Sequence, residues 1–133
     1  MGVIRPSFFM HLPEVMKIFL DTADTEQIKK YHGTGLIDGV TTNPTLIRKS
    51  GRDPEEVYQE LQDIGVKDIS MEVVGDSNQM IEEGKRLCKE FPETATIKVP
   101  CTPDGLIACA ELSTKSLIRV NVTLIFDVAQ AIL

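Results

Sequence analysis

Lys98 stands between Ile97 and Val99 in the run "TATIKVPCTPDGL" (94–106), a short apolar pattern of the kind that forms a strand. A lysine there is either an edge residue or an amine placed for chemistry. Polar residues punctuate four other strand-like runs in the same way: Asp21 in "KIFLDT", Thr41 and Asn43 in "DGVTTNP", Glu72 in "DISMEVVG", and Asn121 and Thr123 in "SLIRVNVTLIF". An enclosed lysine loses solvation, which favours the neutral amine and lowers its pKa. A neutral amine attacks a ketone or aldehyde to form a Schiff base, whose iminium then draws electrons from a neighbouring C–C bond. Such a reaction needs one carboxylate to move a proton at the cleaved hydroxyl, and a second acid/base for imine formation and hydrolysis. Asp21 and Glu72 have the right type. Asn43 and Asn121 suit substrate hydroxyls, because an amide offers a donor and an acceptor together.

The spacing shows what must position these groups. From Met16 onward, strand-like runs at 17–22, 38–44, 68–75, 94–100 and 116–126 alternate with helical patterns. Asp24 with Gln27, and Asp53 with Pro54 and Glu56, have the form of helix starts, the second closing at Gly65. "DSNQMIEEGKRLCKEF" presents Met80, Ile81, Leu87 and Cys88 as an apolar stripe. "TPDGLIACAEL" starts at Thr102 and Pro103 and is expected to bury Leu106, Ile107 and Ala110. Strict β–α alternation predicts parallel strands with right-handed crossovers.

Two architectures meet that pattern, an open doubly wound sheet and a closed (β/α)8 barrel. No glycine-rich phosphate loop follows the first strand, which weighs against nucleotide binding. Polar residues two apart (Thr41/Asn43, Ser70/Glu72, Thr96/Lys98, Asn121/Thr123) share one face, and Met71, Val73, Ile97, Val99, Val122 and Leu124 take the other. In a barrel the aliphatics meet the helices and the polar groups converge in the lumen, at the strand ends where catalytic residues of such barrels lie. The barrel is therefore the expected fold. Asp21, Asn43, Glu72, Lys98 and Asn121 recur at a mean of 25 residues, so the 118 residues from Met16 cover about strands 1–5 with their helices. The chain stops in the helical pattern "DVAQAIL", and the sequence reads as a barrel truncated after its fifth strand.

Residues 1–15, "MGVIRPSFFMHLPEV", precede that pattern and read as an extension, without the long apolar region of a signal peptide. The 133 residues are 42% hydrophobic and 26% charged with net charge −6, and no basic run suggests a nucleic-acid surface. No apolar stretch approaches the roughly 20 residues that span a bilayer. Two histidines exclude a histidine-rich metal site, no carboxylate cluster suggests magnesium, and neither a metal nor another cofactor is expected. Three cysteines (Cys88, Cys101, Cys109) without CxxC spacing fit a reducing cytoplasm.

Each residue has a structural alternative. Asp21 could cap a helix, Asn43 before Pro44 is a good turn residue, and Asn121 could be a satisfied buried amide. Thr41 and Thr123 are common strand residues, and Cys101 reads as a packed thiol. Arg48 and Arg52 read as residues of a solvated helix or loop after the second strand.

At the same residues a family resemblance becomes specific. "FLDTAD", "GVTTNPTLI", "MEVVG", "IKVPCTPDGL" and "VNVTLIFDVAQA" resemble the successive strand signatures of the transaldolase family, in its short bacterial form, over about residues 16–133. The resemblance implies a metal-free Schiff-base enzyme on a (β/α)8 barrel. It would transfer a dihydroxyacetone unit from sedoheptulose 7-phosphate to glyceraldehyde 3-phosphate in the pentose phosphate pathway of the cytoplasm. It implies Lys98 as the Schiff-base lysine and Asp21 as the acid/base at C–C cleavage. Glu72, with Thr123 and a water, would relay protons at the imine; Asn43 and Asn121 would hold the dihydroxyacetone moiety, and Thr41 would line the site. The similar fructose-6-phosphate aldolases carry glutamine where Glu72 stands, so Glu72 favours transfer. The family's phosphate-binding arginine lies on later strands, so phosphate recognition is carried over to no residue. The alternatives are an aldolase-like lyase and a non-catalytic remnant. The expected partners are phosphorylated sugars and further copies of the chain, which would bury its exposed edges.

Overall fold

A computed structural model describes residues 16–133; the expected extension at 1–15 lies outside the described residues. Five parallel strands, β1 (Phe19–Asp21), β2 (Gly39–Thr41), β3 (Ile69–Glu72), β4 (Ala95–Pro100) and β5 (Val120–Thr123), pair in the order β1-β2-β3-β4-β5. Each strand pairs with the next in sequence. This order progresses around a barrel, whereas a doubly wound sheet reverses at a switch point.

The sheet is curled. Asn121 Nδ2 on β5 donates to Ser70 Oγ on β3 at 3.2 Å, across β4. Strands two apart in a flat sheet stand about 10 Å apart. Two side chains this short cannot bridge that gap unless the sheet is concave toward them. The chain thus forms a curled half-barrel of the (β/α)8 type, with helices along its convex side.

The helices start where side-chain caps satisfy their first amides. Asp24 accepts from Glu26 N and Gln27 N at the head of α1 (Thr25–His32). Asp53 does the same for α3 (Pro54–Ile64), and Thr102 accepts from Gly105 N to open α5 (Pro103–Ala110). The full reciprocal capping box, however, belongs to Asp76 and Gln79 at the start of α4 (Ser77–Glu90). After the second strand, where the sequence leaves helix and loop open, a short helix, α2 (Pro44–Ser50), follows β2 directly. A π-helical turn (Glu111–Lys115) continues α5, and the short α6 (Val128–Ile132) buries no residue.

Strand extents are shorter than the apolar runs suggest. The run at 116–126 is a strand only over 120–123, because Leu117 (φ 54°) and Leu124 (φ 62°) leave the extended region at either end. The convex core holds Val40, Met71, Val73, Ile97 and Val99 from the strands and Val57, Leu61, Met80, Leu87 and Leu112 from the helical side, all buried. Ile81 and Cys88, expected in the α4 stripe, are half-buried at its margin, and burial pushes the Cys88 thiol up. In α5 the expected face is rotated: Ile107 is 56% exposed, Leu106 is half-buried and Ala110 is exposed, while Gly105 and Ala108 turn inward. Close approach explains this, since a Cβ on Gly105 would lie 1.9 Å from the Pro100 carbonyl oxygen. Only a residue without a side chain lets α5 settle there.

Two outcomes follow from this packing. Gly105→Ala should destabilise the fold by about 2 kcal/mol or more, read as a lower urea midpoint at unchanged slope. Tyr58 is buried edge-to-face on Phe91, with ring centroids 5.9 Å apart. Burial pushes its phenol above the ordinary value, against a hydrogen bond with Thr42 that lowers it. The neutral phenol is the form the fold favours, so its contribution is complete below about pH 10 and is lost as pH rises through the raised value. Absorbance titration near 295 nm should show a late phenol that disappears in Tyr58→Phe.

Candidate active site

Register builds the site. Asp21 pairs with Thr41, Thr41 with Ser70, and Ser70 with Thr96; one step along, Glu72 pairs with Lys98 and Lys98 with Asn121. Partners in register present their side chains to the same face, here the concave one. At the start of β2 the Phe19 ring packs directly on Gly39, where a Cβ would lie 2.3 Å from the ring.

Lys98 is 8% exposed. Its Nζ donates to the Thr42 carbonyl oxygen at 3.3 Å and lies 3.5 Å from Glu72 Oε2. The side chains of the pair are 10% and 16% exposed, so neither charge is well hydrated. The carboxylate and the carbonyl hold the amine over the concave face.

An open cleft of about 550 Å³ lies above this pair, and Asp21, Asn43, Glu72, Lys98 and Thr123 all line it. Five residues from five successive strands or strand ends are thus brought together. Thr41 and Asn121 are not among the lining residues. Thr41 sits beside Asp21 in register, and Asn121 is engaged with Ser70. Thr123 is held at the end of β5, where its carbonyl oxygen accepts from Cys101 N at 2.8 Å.

Asn43 combines both roles that its sequence context offers. It is the N-cap of α2, its Oδ1 accepting from Leu46 N at 2.9 Å, so its turn role and its place in the cleft coexist. Arg48, which the sequence reads as a residue of a solvated helix or loop, is exposed on the last turn of α2 and also lines this cleft; the sequence leaves α2 itself open. The signal was present: Asn43–Pro44 repeats the cap–proline pattern of Asp53–Pro54 and Thr102–Pro103. Arg52 is a structural residue, paired with Glu60 at 2.6 Å.

The cysteines are free thiols, and among the described residues no helix is long and apolar enough to cross a membrane. The arrangement offers an enclosed amine, one carboxylate beside it, a second carboxylate in the same cleft, and amide and hydroxyl groups around them. That combination can form and hydrolyse an imine and move protons at a neighbouring C–O bond.

Replacing Glu72 by leucine strands the buried Lys98 ammonium and should cost about 3 kcal/mol. Combining it with Lys98→Met should recover most of that loss in urea denaturation, because the stranded charge is gone.

Comparison with known proteins agrees with this geometry. The family model described as "Transaldolase/Fructose-6-phosphate aldolase" matches residues 18–133. A probable transaldolase of Nitrosopumilus maritimus is 50% identical over 119 residues, covering 89% of this chain and 53% of that protein. Probable transaldolases of Paracoccus denitrificans and Geobacter metallireducens are 52% and 51% identical over the same length, with 54% and 55% of each covered. The chain spans about half the length of these curated relatives.

Proposed function

This chain belongs to the transaldolase/fructose-6-phosphate aldolase family, and from that premise we propose that its cleft carries out Schiff-base transfer of a dihydroxyacetone unit between phosphorylated sugars. The observation that carries the reading is the Lys98 amine, buried on the concave face and 3.5 Å from Glu72. The donor is sedoheptulose 7-phosphate and the acceptor glyceraldehyde 3-phosphate, a step of the cytoplasmic pentose phosphate pathway.

Lys98 adds to the ketose carbonyl and water leaves, giving an iminium. Glu72, with Thr123 and a water, takes the proton from the attacking amine and returns it to the departing hydroxyl. Asp21 then removes the proton of the hydroxyl next to the breaking C–C bond. The bond's electrons move into the iminium to give an enamine, and the shortened aldose leaves. The enamine attacks the acceptor aldehyde, Asp21 returns its proton to the new alkoxide, and water hydrolyses the iminium. Asn43 and Asn121 hold the hydroxyls of the three-carbon unit, with Thr41 lining the site. Support for these roles comes from the shared cleft for Asp21, Asn43, Glu72 and Thr123, and from register for Thr41 and Asn121.

Glutamate at position 72 favours transfer over simple aldol cleavage. Self-association belongs to the same reading, supported by exposed Leu124, Ile125, Phe126 and Val128 beside β5, which among the described residues pairs only with β4.

Borohydride reduction with sedoheptulose 7-phosphate should add the mass of the reduced adduct to Lys98 and to no other residue. Lys98→Met should abolish the adduct and lower turnover by at least about 10³-fold. Product release that depends on an aldehyde acceptor marks a transferase; release without one marks an aldolase. A chain that gives neither adduct nor turnover is a non-catalytic remnant, and the proposal fails.

A further inference from the structure

We propose that the cavity behind Glu72, walled by α2, α3 and α4, is a water passage that serves the imine at Lys98 while a sugar fills the cleft; the imine itself rests on the proposed Schiff-base function. The cavity holds about 240 Å³ and is lined by Ile47 of α2, Glu55 and Tyr58 of α3, and Arg86 and Leu87 of α4. Glu72 lines it too, and Glu72 also lines the cleft. One carboxyl group therefore forms part of the wall between two spaces, and its Oε2 lies 3.5 Å from the Lys98 amine.

The lining suits water. A buried water needs roughly 10–15 Å³ of accessible space and about two to four polar partners, whereas apolar cavities stay dry. There is room here for several waters, and the carboxylates, the guanidinium and the phenol supply partners. Arg86 lies 2.8 Å from both Glu55 and Glu83, so these charges are matched within the wall and do not call for a charged ligand. Tyr58 ties the same wall to the amine by a second path. Its phenol is hydrogen-bonded with Thr42, whose carbonyl oxygen accepts from Lys98 Nζ at 3.3 Å.

The chemistry gives such a space a use. A neutral amine, a ketone and one proton give an iminium and release one water; hydrolysis takes one water back and returns the ketone and the ammonium. Lys98 is 8% exposed, and of the two spaces it lines only the cleft. A sugar bound for imine formation closes that route when water must leave, and again when water must return. Glu72, the proposed relay, is reached from the cavity without crossing the sugar.

Oxygen-18 exchange from labelled water into dihydroxyacetone tests this on the 133-residue chain, because each imine cycle swaps the carbonyl oxygen. Lys98→Met supplies the uncatalysed rate. Leu87→Phe and Ile47→Phe fill the cavity from α4 and α2. Each should slow exchange about tenfold, the scale of displacing an ordered water that the new group cannot replace. Borohydride should still trap the same equilibrium fraction of adduct on Lys98. Leu87→Ala, which widens the cavity, should not slow exchange. Independently of turnover, water-to-methyl Overhauser contacts at Leu87 and Ile47 should show the cavity hydrated. Unchanged exchange in the filled, folded variants overturns the proposal. So does slowing in Leu87→Ala, which would mean packing, a fall in trapped adduct, which would mean a displaced amine, or a cavity without water contacts. If neither filled variant folds by circular dichroism, the water contacts decide. An unmodified chain that gives no adduct fails the Schiff-base function and takes this inference with it. Adduct with unaffected exchange fails the inference alone.

Discussion

Glu72 and Lys98 are register partners on adjacent parallel strands, and the rest of the chain accommodates the cost of placing them there. A buried ion pair contributes little net stability, because desolvating two charges offsets their attraction. Stability comes instead from the opposite face of the same strands, where Met71, Val73, Ile97 and Val99 are buried against the helices. The two faces are tied by period two. A one-residue slip of β4 would turn Ile97 into the lumen and drive Lys98 into the helical core. The aliphatic face therefore fixes the register, and the register positions the amine.

The two ends of the sheet treat charge differently. At the end where β3 and β4 begin, Asp68 accepts from Thr96 Oγ1 at 2.7 Å and lies 3.7 Å from Arg119, which also donates to the carbonyl oxygens of Glu93 and Ala95. Asp68, Thr96 and Arg119 thus find their partners within the protein, although the neighbouring Thr94 Oγ1 is buried without one. At the other end, Asp21 and Arg48 face an open cleft with no ion pair between them. One end of the half-barrel is closed by its own hydrogen bonds, and the other leaves charge for something else to meet.

Much of this was legible because two simple periods govern it. Alternation along strands marked Asp21, Asn43, Glu72, Lys98 and Thr123, and all five line one cleft. The repeat of about 25 residues gave the β–α order that the sheet follows. What escaped has local causes. In "TTNPT" the strand pattern runs straight into the cap–proline pair Asn43–Pro44, which masks the start of the short α2 and leaves Arg48 open between helix and loop. Side-chain size misled in α5, where contact with β4 selects Gly105 and Ala108 over the larger Leu106 and Ile107. Positive φ at Leu117 and Leu124 has no sequence signal, since leucine seldom adopts it.

Asn43 serves two masters, and the division falls within one amide group. Its carbonyl oxygen anchors the first turn of α2 through Leu46 N, which leaves the two amide hydrogens as its main offering to the cleft. Recognition at this point is thus weighted toward donation, and it selects ligand oxygens that can accept. Asn43→Asp would serve the helix as well as asparagine does, yet would present the ligand with a charge and no donor. Because the same residue starts the helix that carries Arg48, a ligand that pulled the carbonyl away would loosen α2, whereas one that takes only the hydrogens leaves it intact. Occupancy of the cleft and order in that helix are therefore thermodynamically linked.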